Sequence, residues 1–300
     1  MLAPICLFSY NRPWHTKQTI EALKKNILAK DSFLFVFSDG PKNKQAKEDV
    51  NKLRSYLKTI NGFAKITIIE QEKNLGLGNS IIQGVTSIIN KYGNIIVLED
   101  DLITSPYFLL YMNDALEKYK GNKKVWHISG YTFPIKLHDN IETFFTKYTS
   151  SWGWATWIDR WQYFEKNPKK LINNSNRKYI RNFNIDGIDN IWQQVIKNYK
   201  NEINTWAVFW YATVFNNDGF CLYPYKSLIQ NIGHDGLGEN CGVSKIFNTS
   251  LRKTKVTKFP QDICIDEDII IIYKSYIKKI KRQYYTRIKN LIKRKISNLF

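Results

Sequence analysis

The apolar positions in the first half of the chain form short continuous runs, separated by longer segments in which they recur every three or four residues. The short runs predict strands buried on both faces, and the longer segments predict amphipathic helices. Strand and helix signals alternate, which is typical of βαβ units and a mostly parallel sheet. The predicted strands are Ile5–Ser9, Phe33–Ser38, Lys65–Glu70, Asn94–Glu99 and Val125–Ser129, and the predicted helices are Pro13–Leu28, Lys44–Thr59, Asn79–Tyr92 and one that begins near Pro106.

After Gly130 the regular alternation stops and tryptophan becomes frequent. The sequence here predicts a strand over Thr143–Tyr148 and helices over Asp159–Phe164 and Trp206–Asn216. No Pro- or Ser-rich linker separates this part from the first, so we predict one continuous domain over residues 1–262, with halves 1–130 and 131–262. Exposed tryptophans stack on sugar rings, but tryptophans also simply fill protein cores, and the core is the favoured interpretation for any single one.

Residues 263–300 are predicted to form a separate basic amphipathic tail. After Asp268 the chain has ten Lys or Arg and no acid, so residues 269–300 supply more than half of the formal net charge of +19. Apolar residues recur there at helical spacing, for example at Tyr273, Ile277 and Ile280. The favoured interpretation is a helix on an anionic membrane surface. Packing on the parent domain or a partly disordered tail are the alternatives, and a nucleic-acid partner is not expected.

Composition excludes several other classes. The chain begins without a charged leader or cleavage site, and it has no apolar run near 18 residues, so neither a secretory signal nor a membrane span is expected. Its four cysteines have no C-x-x-C pair, which argues against a zinc site or a disulfide framework. A cytoplasmic protein is predicted, peripheral to the inner face of the membrane if the tail binds there.

The candidate chemistry begins with three consecutive acids, Glu99, Asp100 and Asp101, at the end of a predicted buried strand. Ligands bind at this end of the strands in open α/β sheets. Adjacent carboxylates repel one another unless a cation lies among them, and Mg²⁺ and Mn²⁺ prefer oxygen ligands. A metal that holds a diphosphate is therefore predicted, and a solvated acidic loop is the alternative.

The other predicted strands also end in polar segments, at residues 9–13, 38–41 and 74–79. Asp39, beside Gly40, has an alternative interpretation as a turn residue, and the glycines at 76 and 78 have one as a helix entry. They do not form the dinucleotide-binding pattern G-x-G-x-x-G, because position 81 is Ile, and the Walker lysine motif is absent. These observations disfavour NAD and P-loop chemistry.

Taken together, these segments resemble the GT-A fold glycosyltransferases. Residues 8–13 and 74–76 are similar to family 2 glycosyltransferases, and Val97–Phe108 is similar to the V-x-E-D-D-L-x-x-x-P-x-F segment of N-acetylglucosaminyltransferase I-type enzymes. The resemblance covers about residues 3–240. It implies an α/β GT-A fold and an inverting, Mn²⁺- or Mg²⁺-dependent transfer from a nucleotide-sugar, with a UDP-sugar favoured. The acceptor would be a glycan or a lipid-linked sugar in bacterial surface polysaccharide synthesis.

The resemblance also implies roles for individual positions. Asp101 would be a metal ligand, and His234, which has glycines on both sides, would be a second one unless it is structural. The other implied donor-binding positions lie at the strand ends and in the Trp-containing segment. They are Ser9, Arg12, Asp39, Asn74, Gly76, Glu99, Asp100, Trp152, Gly153 and Trp154.

One position departs from the pattern of the relatives. Many of them carry the catalytic base as an acid inside a short Trp-flanked motif, and the matching position here is Ala207. The base is then expected elsewhere, with Asp235, Glu239 and Asp189 as candidates in that order, although each could be an ordinary surface acid. Otherwise the chain is a degenerate member that binds a nucleotide-sugar or glycan without transferring it.

Overall fold

The structure is a computed structural model that describes residues 1–137, 141–236 and 246–297, with residues 283–297 described as helix backbone only. The strands among these residues are β1 (Ile5–Ser9), β2 (Phe33–Ser38), β3 (Lys65–Glu70), β4 (Asn94–Glu99), β5 (Leu102–Thr104), β6 (Val125–Ser129), β7 (Thr143–Thr146), β8 (Trp154–Trp157), β9 (Phe220–Pro224) and β10 (Ile229–Asn231).

Local sequence signals mark the ends of several helices. Pro13 starts the first helix, the Asn43 side chain caps the second, and Gly93 ends the third in the left-handed conformation. The helices are α1 (Pro13–Lys24), α2 (Lys44–Leu57), α3 (Leu77–Tyr92), α4 (Phe108–Tyr119), α5 (Ile158–Trp161), α6 (Pro168–Asn173), α7 (Arg177–Phe183), α8 (Trp192–Tyr199), α9 (Ala207–Asn216) and α10 (Glu267–Ser297), with one 3-10 turn at Ala29–Asp31.

Within the described ranges, eight strands form one sheet in the order β3-β2-β1-β4-β8-β6-β9-β7. The pairs β3/β2, β2/β1, β1/β4 and β6/β9 are parallel, and the other three pairs are antiparallel. Helices cover both faces of the sheet. The predicted fold class, a mostly parallel α/β sheet with flanking helices, is confirmed.

Strand β8, from the second half of the chain, lies between β4 and β6. Trp154 pairs with Val97 on one side and with Ser129 on the other, both antiparallel. All four residues of β8 are buried, because helices cover both faces of the sheet at this point. A strand from the second half of the chain therefore completes the sheet of the first half.

Alternate side chains of the strands build the two core layers. Ile5 and Leu7 pack with α1, α2 and α4 on one face, whereas Cys6 and Phe8 pack with α3, α5, α9 and α10 on the other. Gly84 of α3 allows a close approach to this second layer, since an added Cβ would lie 2.6 Å from the Phe8 ring.

The first part of α10 belongs to this second core layer. Ile269, Tyr273 and Ile277 are buried, and the helix is further held by ion pairs from Lys274 to Asp186 (2.6 Å) and from Lys281 to Asp189 (2.9 Å). This stretch packs on the domain, which was one alternative for the tail, and the boundary at residue 262 stays a prediction. Among the described helices, α10 included, we find none with the length and apolarity to cross a membrane.

Candidate active site at the carboxyl edge of the sheet

Strands β1 to β4 are mutually parallel, so their carboxyl ends meet at one edge, where α/β sheets bind ligands. Ser9 lies at the end of β1 and is buried, with its hydroxyl donating to the Phe37 carbonyl at 3.3 Å. Asp39 follows β2, and the acidic triplet begins at the last residue of β4. The predicted strand-end residues are therefore brought to the same edge.

Asp39 organises one part of this edge. Its Oδ1 accepts hydrogen bonds from the backbone N–H groups of Gly40 (2.8 Å) and Leu75 (2.9 Å). Its Oδ2 accepts from the Gly76 backbone (2.9 Å) and from the Asn74 amide (3.1 Å). Gly76 has a φ of 74°, which favours glycine. Asp39 thus fixes the conformation of residues 74–76, and both its oxygens are occupied within the protein.

Arg12 bridges two acids of the triplet. Its Nη2 donates to Asp100 Oδ1 and, at 3.0 Å, to Asp101 Oδ2. Both aspartates are buried. Burial alone would lower the pKa of the guanidinium, but the two carboxylates outweigh it and raise that pKa above its usual value. The chain itself therefore supplies one positive charge to this acidic cluster.

One cation does not balance the triplet. Burial, together with the charges of Asp101 and Asp100, raises the pKa of Glu99 to about 8. Burial also raises the pKa of Asp100 to about 6, although Arg12 opposes it. Carboxyl groups that resist ionisation in this way are stabilised as anions when further positive charge binds among them.

Two buried polar atoms at this edge have no hydrogen-bond partner among the described residues, Asp101 Oδ1 and His234 Nε2. The chain leaving β10 passes beside Asp101: Ile232 donates its N–H to the Asp101 carbonyl (2.9 Å), and Gly233 follows. A Cβ at Gly233 would lie only 2.1 Å from Asp101 Oδ2, so glycine permits this approach. His234 is the next residue.

The chemistry of these two atoms suits a divalent cation. A carboxylate oxygen and an imidazole nitrogen are ligands that Mn²⁺ accepts, and an unpartnered buried polar atom is costly unless something binds it. In the described ranges there is no group of three or more His, Cys, Asp or Glu arranged to hold a metal. The remaining ligands would therefore come from a bound diphosphate or from water.

The three candidate bases occupy different places. Asp235 follows His234, and its Oδ2 accepts a hydrogen bond from Nε2 of the buried His15 at 2.8 Å. Asp189 pairs with Lys281 of α10, and no described contact joins it to the triplet. Glu239 lies outside the described residues. Of the two described candidates, Asp235 is the one that follows His234 and contacts His15 of α1.

The Trp-containing segment divides between this edge and the core. Trp152 is half-buried and contacts the His234 ring edge-on, with 5.3 Å between centroids. Gly153 has a φ of 65° and an added Cβ would lie 2.8 Å from Ile229. Trp154 is completely buried and stacks on Trp206 at 5.2 Å. Trp152 is therefore the indole of this segment that lies beside the candidate metal ligand.

Ala207 is the first residue of α9 and packs at the edge of the second core layer. The preceding Trp206 places it near the Trp-containing segment, but its methyl group can accept no proton. Sequence reasoning missed two residues, His15 and Gly233. His15 resembles an ordinary core position of α1, and only its place three residues after Arg12 could have indicated a role.

Comparison with known proteins adds little to this geometry. No protein-family model and no curated protein matches the chain. Among solved structures, TarS from S. aureus is similar at 12% identity, with 76% of this chain and 36% of that chain covered and a TM-score of 0.43. TarS 1–349 from S. aureus is similar at 11% identity, with 76% of this chain and 60% of that chain covered and a TM-score of 0.43. UDP-glucose pyrophosphorylase complexed with UDP-glucose is similar at 11% identity, with 72% of this chain and 97% of that chain covered and a TM-score of 0.32. The chain thus spans about a third of the first TarS structure, and at these TM-scores the similarities carry no conclusion.

Proposed function

We propose that this protein is a metal-dependent, inverting glycosyltransferase that moves a sugar from a nucleotide-sugar to a glycan or lipid-linked acceptor. The observation that carries the proposal is the pair of unpartnered buried atoms, Asp101 Oδ1 and His234 Nε2, beside an acidic triplet at the ligand-binding edge of the sheet. These two residues would hold Mn²⁺ or Mg²⁺. When bound, the metal would neutralise charge on the departing nucleoside diphosphate.

The neighbouring groups support the same assignment. Arg12 lies against Asp100 and Asp101, where its guanidinium can also donate to diphosphate oxygens. Asp39 holds the loop of Asn74 and Gly76 in place, so it would shape the nucleoside pocket through that loop. A UDP-sugar is the favoured donor, on the resemblance alone.

Asp235 is the base we propose for the acceptor hydroxyl. His15 fixes one of its oxygens, and the side chain retains 37% of its exposure, so it can reach a hydroxyl that arrives from solvent. Asp235 would take the hydroxyl proton while the acceptor oxygen attacks the anomeric carbon and the nucleoside diphosphate leaves. A single displacement of this kind inverts the anomeric centre.

The test is a thermal-shift screen of UDP-, GDP-, CMP- and dTDP-sugars, each with and without Mn²⁺. A ligand at ten times its dissociation constant stabilises the folded state by about 1.4 kcal/mol. We expect one donor to raise the melting temperature in the presence of Mn²⁺, and to do so no longer in Asp101→Asn. If no donor stabilises the protein, the proposal fails.

The alternative is a degenerate member of the fold that binds a nucleotide-sugar without transferring it, and Ala207 is the observation that favours it. Donor hydrolysis distinguishes the two. If the wild-type protein slowly hydrolyses the donor and Asp235→Asn does not, the protein is an enzyme. If the donor binds in a Mn²⁺-dependent way but is never hydrolysed, the protein is a binding protein.

We further propose that the basic end of α10 contacts an anionic membrane surface at the cytoplasmic face. Residues 269–281 include four buried apolar side chains and two lysines in ion pairs, so the truncation that tests this contact must begin after Arg282. Removing residues 283–300 should release the protein from phosphatidylglycerol vesicles and leave its melting temperature unchanged. Unchanged vesicle binding would contradict the membrane role.

A further inference from the structure

Trp14 differs from the other tryptophans of the chain. It is 58% exposed, whereas the remaining eight, all within the described ranges, are buried or half-buried. A single exposed apolar side chain needs no explanation by itself. What gives this one interest is its position.

Trp14 is the second residue of α1, directly beyond the carboxyl end of β1. It follows the segment that contains Arg12, the partner of Asp100 and Asp101. The next residue is His15, whose ring lies 4.9 Å from the indole at an angle of 87°. The exposed indole therefore contacts the ring of His15, which lies three residues after Arg12 in the chain.

His15 and Asp235 add a fixed polar group to this surface. The His15 side chain is 4% exposed, and its Nε2 lies 2.8 Å from Asp235 Oδ2. The Asp235 side chain is 37% exposed. The buried imidazole of His15, which follows Trp14 on α1, thus orients the Asp235 carboxylate, and solvent can reach that carboxylate.

Pyranose rings are recognised by this combination of groups. One face of the ring presents C–H groups that pack on an aromatic surface, and the hydroxyls around its rim hydrogen-bond to carboxylates. An aromatic surface supplies contact area at little cost in side-chain entropy, while a few placed polar groups fix the orientation of the ligand.

We propose that Trp14 and the His15–Asp235 pair form a subsite for a pyranose ring of the acceptor. The inference rests on the proposed function, and it adds a place and a chemical class for the acceptor. We assign the ring on Trp14 to the acceptor because Trp14 is 58% exposed, whereas Asp101, beside which the donor would bind, is 5% exposed. A donor sugar would stay beside the buried carboxylates, whereas a ring on Trp14 arrives from solvent.

His15 is a positioning residue in this subsite. Its imidazole holds the carboxylate, and Asp235 is the group that meets the sugar hydroxyl. The indole then sets the face on which the acceptor ring lies, and so determines which hydroxyl points toward Asp235.

The test uses saturation-transfer NMR with the methyl glycosides of glucose, galactose and N-acetylglucosamine as probes, in the presence of UDP and Mn²⁺. We expect saturation transfer to the ring C–H protons of at least one glycoside, and at least a fivefold loss of it in Trp14→Ala. Trp14→Phe retains an aromatic face and should recover part of the signal. Tyr199→Ala, at a tyrosine that is 51% exposed at the end of α8, is the matched control and should leave the signal unchanged.

A second pair of variants addresses the polar half of the subsite. His15→Gln keeps an N–H donor for the carboxylate and should retain most of the glycoside signal, whereas His15→Leu fills similar space without a donor and should lose it. Equal loss in both variants at matched thermal stability would overturn the positioning role. An undiminished signal in Trp14→Ala, or no signal from any glycoside with the wild-type protein, would overturn the subsite.

The result is separable from the test of the proposed function. Stabilisation by UDP and Mn²⁺ should be the same in Trp14→Ala as in the wild type, because the ring contact described for the indole is with His15 rather than with Asp101 or His234. Glycoside binding without stabilisation by any of the four nucleotide-sugars would leave the subsite standing and remove the proposed function. UDP binding without glycoside binding would do the reverse.

Discussion

Asp39 and Asp101 are two aspartates at the same edge of one sheet, and they are buried to the same degree, at 4% and 5% exposure. Asp39 accepts four hydrogen bonds from the protein. Asp101 has Arg12 on one oxygen and nothing in the described ranges on the other. The two residues are alike in type, burial and position, so they differ in how many of their carboxylate oxygens have hydrogen-bond partners within the described protein. A complete set of bonds holds a loop, and an incomplete one is suited to a ligand.

Asp101→Asn tests the oxygen that has no hydrogen-bond partner in the described ranges. If the bare oxygen binds a metal, the neutral amide should lower kcat/KM for transfer about 10³-fold, which corresponds to about 4 kcal/mol in the transition state. Steady-state kinetics with the donor found by the thermal-shift screen measures this. Asp114→Asn, at an acid on α4, is the control and should retain activity. An active Asp101→Asn protein would refute the metal site.

Asp39→Ala tests the complete side of the comparison. It leaves three backbone N–H groups and one amide without their acceptor, so we expect the free energy of unfolding to fall by roughly 3 kcal/mol. Urea denaturation measures the loss. Asp39→Asn keeps one acceptor oxygen and should lose less. A wild-type midpoint for Asp39→Ala would mean that the loop of residues 74–76 does not depend on this carboxylate.

A smaller effect is expected when only one of the four donors is removed. The Asn74 amide donates to Asp39 Oδ2 and, at 2.8 Å, to the Gly40 carbonyl. Asn74→Ala should therefore lower the free energy of unfolding by about 1 kcal/mol, the net value of ordinary hydrogen bonds. Asn79→Ala removes a solvent-exposed hydrogen bond from the Asn79 amide to the Leu75 carbonyl (3.0 Å) and should lower the urea midpoint less than Asn74→Ala does.

Glu142 extends the comparison to pH. Its carboxylate accepts from the backbone of Thr257 (2.6 Å) and Lys258 (3.0 Å) and pairs with Arg252, and these bonds outweigh burial and lower its pKa to about 2. Its ordinary pKa is 4.5, so the stabilisation is complete above that pH and is lost as the pH falls toward 2. Glu142→Gln should be less stable than wild type at pH 7, and the difference should disappear near pH 2. A difference in urea midpoint that is constant with pH would contradict this assignment.

The sequence predicted the first half of the fold closely. The bounds of β1, β2, β3, β4 and β6 are as expected, because long apolar runs between helical segments leave little ambiguity. The second half was harder. Strands β8 and β9 do not follow the regular alternation with helices that marks the first half, and the partners of β8 lie far away along the chain.

The candidate site was predictable as a set of residues at one edge, but not as a set of bonds. The position of Asp39 after a buried strand indicated the edge, yet its four hydrogen bonds depend on how the loop of residues 74–76 folds back. In the same way, nothing local connects His15 with Asp235, which lie at opposite ends of the domain sequence and meet only through the folded sheet.

The insertion of β8 has a consequence for how the chain folds during synthesis. One edge of β4 stays unpaired until Trp157 has left the ribosome, although β1 to β4 are complete long before. An apolar strand with an open edge is a template for aggregation. The free edge of β4 in the nascent chain is therefore covered only when the short, tryptophan-rich β8 pairs with it. Contacts between segments this distant along the chain also predict slow refolding of the isolated protein.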